Sequence, residues 1–154
     1  MASPERSLVL TPRQRLLLSY VAGGDEELDP IRIVKGLFVF CQEVPKDWVD
    51  NQALYEFEPY SYGPFSFALY HDLEALHALG VLAVREQPDA SWKFYHLTDL
   101  GRQLATEART DLDPKAVRYL DEVRKVMLSM DFRTLLRAIY KKYPEYAVNS
   151  VFNR

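Results

Sequence analysis

A chain of 154 residues with 48% hydrophobic, 27% charged and 13% aromatic residues can bury a real core, and it is composed like one compact domain with room for a helical extension. Its one cysteine, Cys41, excludes an intrachain disulfide framework and a thiolate metal cluster, and the apolar run around it reads as a small buried hydrophobe. The net charge of -3 divides unevenly: residues 1–112 carry 10 Lys plus Arg against 17 Asp plus Glu, net -7, and residues 113–154 carry 9 against 5, net +4.

The opening "MASPERSLVLTPRQRL" has no apolar run behind a basic start. No later segment reaches the roughly 20 apolar residues that span a bilayer, so the expectation is a soluble, cytoplasmic protein without membrane contact. Thr11 and Pro12 read as the N-cap and first residue of a helix over 12–22, stopped by Gly23 and Gly24. Asp29 and Pro30 repeat the device for a second helix to about Cys41. Ile33, Val34, Leu37, Phe40 and Cys41 line its apolar side, and Gly36 marks a close helix packing. The β-branched "IRIV" leaves a strand as the alternative there. Residues 42–54 read as a polar loop containing Pro45, and "LYEFEPY" as an extended stretch in which Pro59 permits only a short or edge strand. Ser66 caps a helix over 67–79 that turns Leu69, Leu73 and Leu76 inward and ends at Gly80.

"VLAVRE", "QPDAS" and "WKFYHL" then read as strand, turn and antiparallel partner. Alternation puts Trp92, Phe94 and His96 on one side of the second strand and Lys93, Tyr95 and Leu97 on the other, with His96 expected as a satisfied core histidine. Thr98 caps a further short helix with Leu100 and Leu104 inward. Three helices followed by a two-stranded wing is the order of a winged helix-turn-helix, so the expected fold is mainly α with a small antiparallel β wing. Asp113 and Pro114 start a helix to about Ser129 with Val117, Leu120, Val123 or Arg124, and Leu128 along a seam. Asp131 caps another, "FRTLLRAIYKKY", with Leu135, Leu136, Ile139 and Tyr143 on its apolar side and Pro144 as its stop. The expected division is a winged-helix domain over 1–112 and a two-helix extension over 113–154. That extension either completes the same core or pairs two chains.

The block "YSYGPFSFALYHDLEALHALGVL" resembles the "YGP" block and leucine-spaced helix of Panacea-domain proteins, the SocA-type antitoxins and their relatives. "IRIVKGLFVFCQ" looks like the helix before that block, and "KFYHLTDLGRQLA" is similar to the wing-to-helix joint "Y-x-L-T-x-x-G" of winged-helix regulators. The resemblance covers roughly residues 30–105 and marks Tyr62, Gly63, Pro64 and Tyr70, with Leu97, Thr98 and Gly101 at the joint. It implies non-enzymatic regulation through protein contacts, in the manner of an antitoxin.

The aromatic and proline cluster itself has two readings. Gly63, Pro64 and Ser66 can simply turn the chain into a helix while Tyr55, Phe57, Tyr60, Tyr62 and Phe65 seal the edge between that helix and the wing. Alternatively, exposed phenols anchor a partner, because tyrosine buries area at little entropy cost and keeps a polar handle. The candidate partner interface is Tyr60, Tyr62, Phe67, Tyr70, His71 and Glu74. A DNA-reading winged helix would use 66–79 as its recognition helix, yet that segment has no Arg, Lys, Asn or Gln for base readout, and the acidic body repels phosphate at long range. Candidate phosphate contacts are Arg13, Arg15, Arg85 and Lys93, with Arg124, Lys125, Arg133, Arg137, Lys141 and Lys142 in the basic tail. A protein partner is therefore the first expectation and DNA the second, with a homodimer through 113–143 left open beside either.

No enzyme, metal or cofactor is expected. His71 and His77 are six residues apart, not the four that bring two ligands together on a helix. Glu56 and Glu58 offer no defined cleft for acid–base work, and the chain lacks a Walker glycine-lysine motif, a dinucleotide fingerprint and a nucleophile elbow.

Overall fold

The computed structural model describes residues 8–88 and 93–151. In chain order these form α1 (Pro12–Val21), α2 (Pro30–Glu43), β1 (Glu58–Tyr60), β2 (Gly63–Phe65), α3 (Phe67–Ala78), β3 (Leu82–Glu86), β4 (Lys93–Leu97), α4 (Asp99–Asp111), α5 (Pro114–Leu128) and α6 (Phe132–Lys142). Short 3-10 turns lie at Lys46–Trp48, Asn51–Ala53 and Pro144–Ala147. The fold is mainly α with a small antiparallel β wing, as the order of elements predicts. No helix among the described residues is long and apolar enough to cross a membrane.

Each α-helix begins at a side chain that satisfies its free amides. Thr11, Asp29, Ser66, Thr98, Asp113 and Asp131 accept from backbone N–H groups two or three residues on. Pro12, Pro30 and Pro114 occupy first-turn positions, where a missing N–H costs nothing. At α1 the cap is reciprocal, because Gln14 Oε1 accepts from the Thr11 N–H at 3.0 Å.

The wing pairs β3 with β4 in register from Leu82↔Leu97 to Glu86↔Lys93. Leu28, between α1 and α2, bridges to Tyr95 through two backbone hydrogen bonds of 3.1 and 2.8 Å, so the wing is tied to the helical body. Most of the expected turn, and Trp92, lie outside the described residues. Tyr95 and Leu97 are buried, as alternation requires, while Phe94 on the other side lies under the Arg85 guanidinium at 4.9 Å. His96 is partly exposed and is not a core residue. Its Nδ1 lies 3.0 Å from a Glu27 carboxylate oxygen, at ion-pair distance but without hydrogen-bond geometry.

One core joins all six helices. Leu17 and Tyr20 of α1, Leu37 and Phe40 of α2, Leu73 of α3, Ala105 of α4, Leu120 of α5 and Leu135 of α6 belong to the same buried cluster. Gly36 makes the crossing of α1 and α2 close, because a Cβ there would collide with the Tyr20 phenol, whose hydroxyl donates to the Arg32 carbonyl at 2.8 Å. α4 runs thirteen residues, longer than the short helix expected, and packs along α1. α5 lies on α2 with Ala116, Leu120, Val123, Arg124 and Met127 buried, so its inward line is shifted by one residue from the expected Val117 and Leu128. The buried residues of α5 and α6 thus belong to the chain's own core, the first of the two roles expected of this segment.

Candidate protein-binding face

Between α2 and α3 the chain makes a small β-hairpin in which Pro59 stands opposite Pro64. Neither residue has an N–H, so the pair fits only the ladder position where opposed residues exchange no hydrogen bonds. Glu58↔Phe65 and Tyr60↔Gly63 on either side supply the bonded pairs. The tip, Ser61 and Tyr62, closes on Gly63 at φ +89°, a left-handed backbone that glycine adopts without steric cost. A Cβ on Gly63 would also stand 3.2 Å from the Tyr140 ring of α6. The hairpin's main contacts are therefore with α2, α6 and the turn Pro144–Ala147, where the sealing reading expected the wing.

This placement divides the aromatic residues. Tyr55 and Phe57 point inward: the Tyr55 hydroxyl donates to Asp72 at 2.8 Å, and Phe57 meets Phe38 edge-on at 5.3 Å. Tyr60, Tyr62, Phe67 and Tyr70 remain 47, 44, 54 and 37% exposed. Ring contacts connect them to one another and to their neighbours. Tyr60 stacks on Phe65 at 5.2 Å and meets Phe67 edge-on at 5.5 Å, Phe65 lies 4.9 Å from Phe67 and 5.8 Å from Tyr70, and Tyr62 meets Phe132 of α6 at 5.7 Å. Ser66 then starts α3 with a buried cap, its Oγ accepting from Leu69 N at 3.1 Å. His71 and Glu74 extend the exposed side of α3 from Phe67 and Tyr70.

The segment after α6 borders the same face. Val151 N donates to the Ser61 carbonyl at 2.9 Å, and the Asn149 amide donates to the Pro59 carbonyl at 3.4 Å. Val148 and Val151 themselves are largely exposed. Neither these valines nor Phe132 was legible as part of the face, because the contacts that bring them there span about seventy residues or more of sequence.

The candidate phosphate contacts are dispersed. Arg13 donates from Nε to the Leu54 carbonyl at 2.8 Å, Arg15 pairs with Asp111, and Arg85 pairs with Glu27 at 2.6 Å. Arg124 is unsuited to any phosphate, since it is 2% exposed and donates to Glu26 Oε1 at 2.9 Å and to the Glu26 carbonyl at 2.6 Å. Lys142 pairs with Glu43 at 3.1 Å. Lys93, Lys125, Arg133, Arg137 and Lys141 are exposed, on three different elements. Only the line Arg133, Arg137 and Lys141, spaced four residues apart on α6, forms a continuous cationic edge.

Cys41 is partly buried, and burial pushes its thiol up to about 11, so it stays protonated at neutral pH. A cleft of about 290 Å³ beside the wing is lined in part by Glu26, His96, Arg102 and Arg109. Its arginines are engaged: Arg109 holds Asp121 with two contacts of 3.0 and 2.8 Å, and Arg102 holds Asp99 at 2.6 Å.

The class so defined is an α-rich protein with a small β wing and an exposed, ring-packed aromatic corner. The chain matches no protein-family model, and no curated protein matches it.

Proposed function

We propose that this chain is a non-enzymatic regulatory or adaptor protein of the cytoplasm that acts by binding another protein through the aromatic face of Tyr60, Tyr62, Phe67 and Tyr70. One observation carries the reading: four large aromatic side chains, each more than a third exposed, share one ring-packed hairpin-and-helix corner. Preordered aromatics lose little entropy on docking, which is why such residues dominate binding energy at protein interfaces. The likeness of this block to Panacea-domain proteins agrees with an antitoxin-like role, in which a partner is occluded or delivered without a covalent step. A DNA-binding winged-helix regulator is the weaker reading, because α3 would have to enter the groove with Phe67, His71 and Glu74 leading and no Arg or Lys on the helix.

The test is to isolate the tagged chain from its native cells, identify the protein that accompanies it, and titrate that purified protein against wild type, Tyr62→Ala and Tyr70→Ala. Both side chains are exposed, so the variants keep the fold, and each is expected to weaken binding by roughly tenfold or more. Unchanged affinity in both overturns this face. Tight binding of a random DNA duplex that falls steeply with salt would favour the weaker reading instead.

A further inference from the structure

The aromatic face carries opposite charge at its two ends. At the hairpin tip, Tyr62 meets Phe132, and Gly63 backs onto Leu136 and Tyr140, so the line Phe132, Leu136 and Tyr140 is the side of α6 turned to the hairpin. Arg133, Arg137 and Lys141 follow each of these by one residue, about 100° further round the helix. Leu135 and Ile139 are buried in the opposite sense, so the cations border the face at the Tyr62 end. Asp131, the N-cap of α6, lies among them, and the neighbouring Arg133 and Arg137 help hold its carboxyl low after its bonds to Thr134. At the other end Glu58 pairs in register with Phe65, which touches Phe67 and Tyr70, and Glu74 lies one helical turn beyond Tyr70. Glu58, Glu74, Arg137 and Lys141 are exposed, and none makes a hydrogen bond or ion pair with another described residue.

A patch with an aromatic centre, a basic end and an acidic end is complementary to itself under a two-fold rotation. The axis would pass near Tyr60, stacking the aromatic centres and setting Arg137 and Lys141 of each copy against Glu58 and Glu74 of the other. A uniformly acidic or basic partner would meet repulsion at one end, whereas a second copy sets each end against its opposite. We propose that the occupant of this face in the free protein is a second copy of the chain, so that self-association covers the surface until another partner displaces it. This rests on the reading of the face as a docking surface and adds what holds it in the resting state.

Charge reversal at each end tests it. Sedimentation of the full chain from micromolar to submillimolar concentration is expected to show a monomer–dimer equilibrium that weakens with salt. Arg137→Glu with Lys141→Glu, and separately Glu58→Lys with Glu74→Lys, are each expected to raise the dimer Kd by roughly tenfold or more. All four positions are exposed, and circular dichroism checks that the fold is kept. Mixing the two reversed proteins is expected to restore a heterodimer, since each end then meets its opposite. A wild type that is monomeric throughout, a dimer indifferent to both reversals, or a mixture that fails to associate overturns the proposal. A monomeric wild type that still loses its cellular partner in Tyr62→Ala leaves the docking function standing alone, so the two ideas fail separately.

Discussion

Lys35 lies on α2 at 2% exposure and makes no hydrogen bond or ion pair with another described residue. Burial lowers its amine from the ordinary 10.5 to about 8. Between those two values the unfolded chain binds a proton that the folded chain has released, so stability climbs as pH rises from about 8 towards 10.5, and the penalty is complete below about 8. A displacement of that size corresponds to about 3 kcal/mol. Lys35→Met, which keeps the stem and removes the charge, is expected to raise neutral-pH stability by about 2–3 kcal/mol and to flatten the climb. Urea unfolding at a series of pH values reads both effects. The series must stop below the ordinary tyrosine value of about 10. Beyond it the buried Tyr20 and Tyr55 phenols, whose pKa burial raises, withdraw stability as their unfolded counterparts ionise. The sequence places Lys35 in an apolar helix as one cation among hydrophobes, and a lysine there ordinarily extends to water.

At the scale of elements, helix starts were the most legible feature, because a capping side chain acts on amides two or three residues away and needs nothing distant. Ser66 shows the energetic weight of such a cap, since its hydroxyl and the amide it satisfies are both buried. Ser66→Ala leaves that amide without a partner and is expected to cost about 1–2 kcal/mol, measured as a lower denaturant midpoint at unchanged slope. Because α3 begins there, amide exchange should accelerate first at Phe67–Tyr70, next to the aromatic face. β2 was the element that sequence did not disclose. A proline in each of two short segments argues against strands when each is read singly, and only the pairing of Pro59 with Pro64 removes the objection. The expected edge against the wing failed for a related reason: it assumed that neighbours in sequence pack together, whereas the hairpin is taken up by α2, α6 and the segment that follows α6.

The whole molecule is held by the part that composition alone would set aside. The basic stretch after residue 112 supplies α5 and α6, whose Leu120, Val123, Leu135 and Ile139 close the core over α1 and α2. Its Arg124 fastens the loop between those helices through Glu26 and the Gly24 carbonyl, and Asp121 anchors Arg109 of α4. A chain ending at residue 112 exposes Tyr20, Leu37 and Phe40, and is expected to show no cooperative thermal transition by circular dichroism. A sharp transition in that fragment would establish 1–112 as an independent domain. The +4 charge of this stretch is accordingly spread between internal ties and an outer edge. Arg124 is internal and Lys142 is paired, while Arg137 and Lys141 remain outside beside the hairpin.

By itself the amino-acid sequence determined the helix starts, the wing and the cation-poor side of α3, because each depends on contacts within a few residues or on a simple period. Tertiary packing decided which aromatics turn outward, which arginines are consumed and which lysine is buried. Those outcomes depend on contacts between segments far apart in the chain, such as Arg13 with Leu54, Arg124 with Glu26 and Val151 with Ser61, and no local pattern encodes a contact across such a separation.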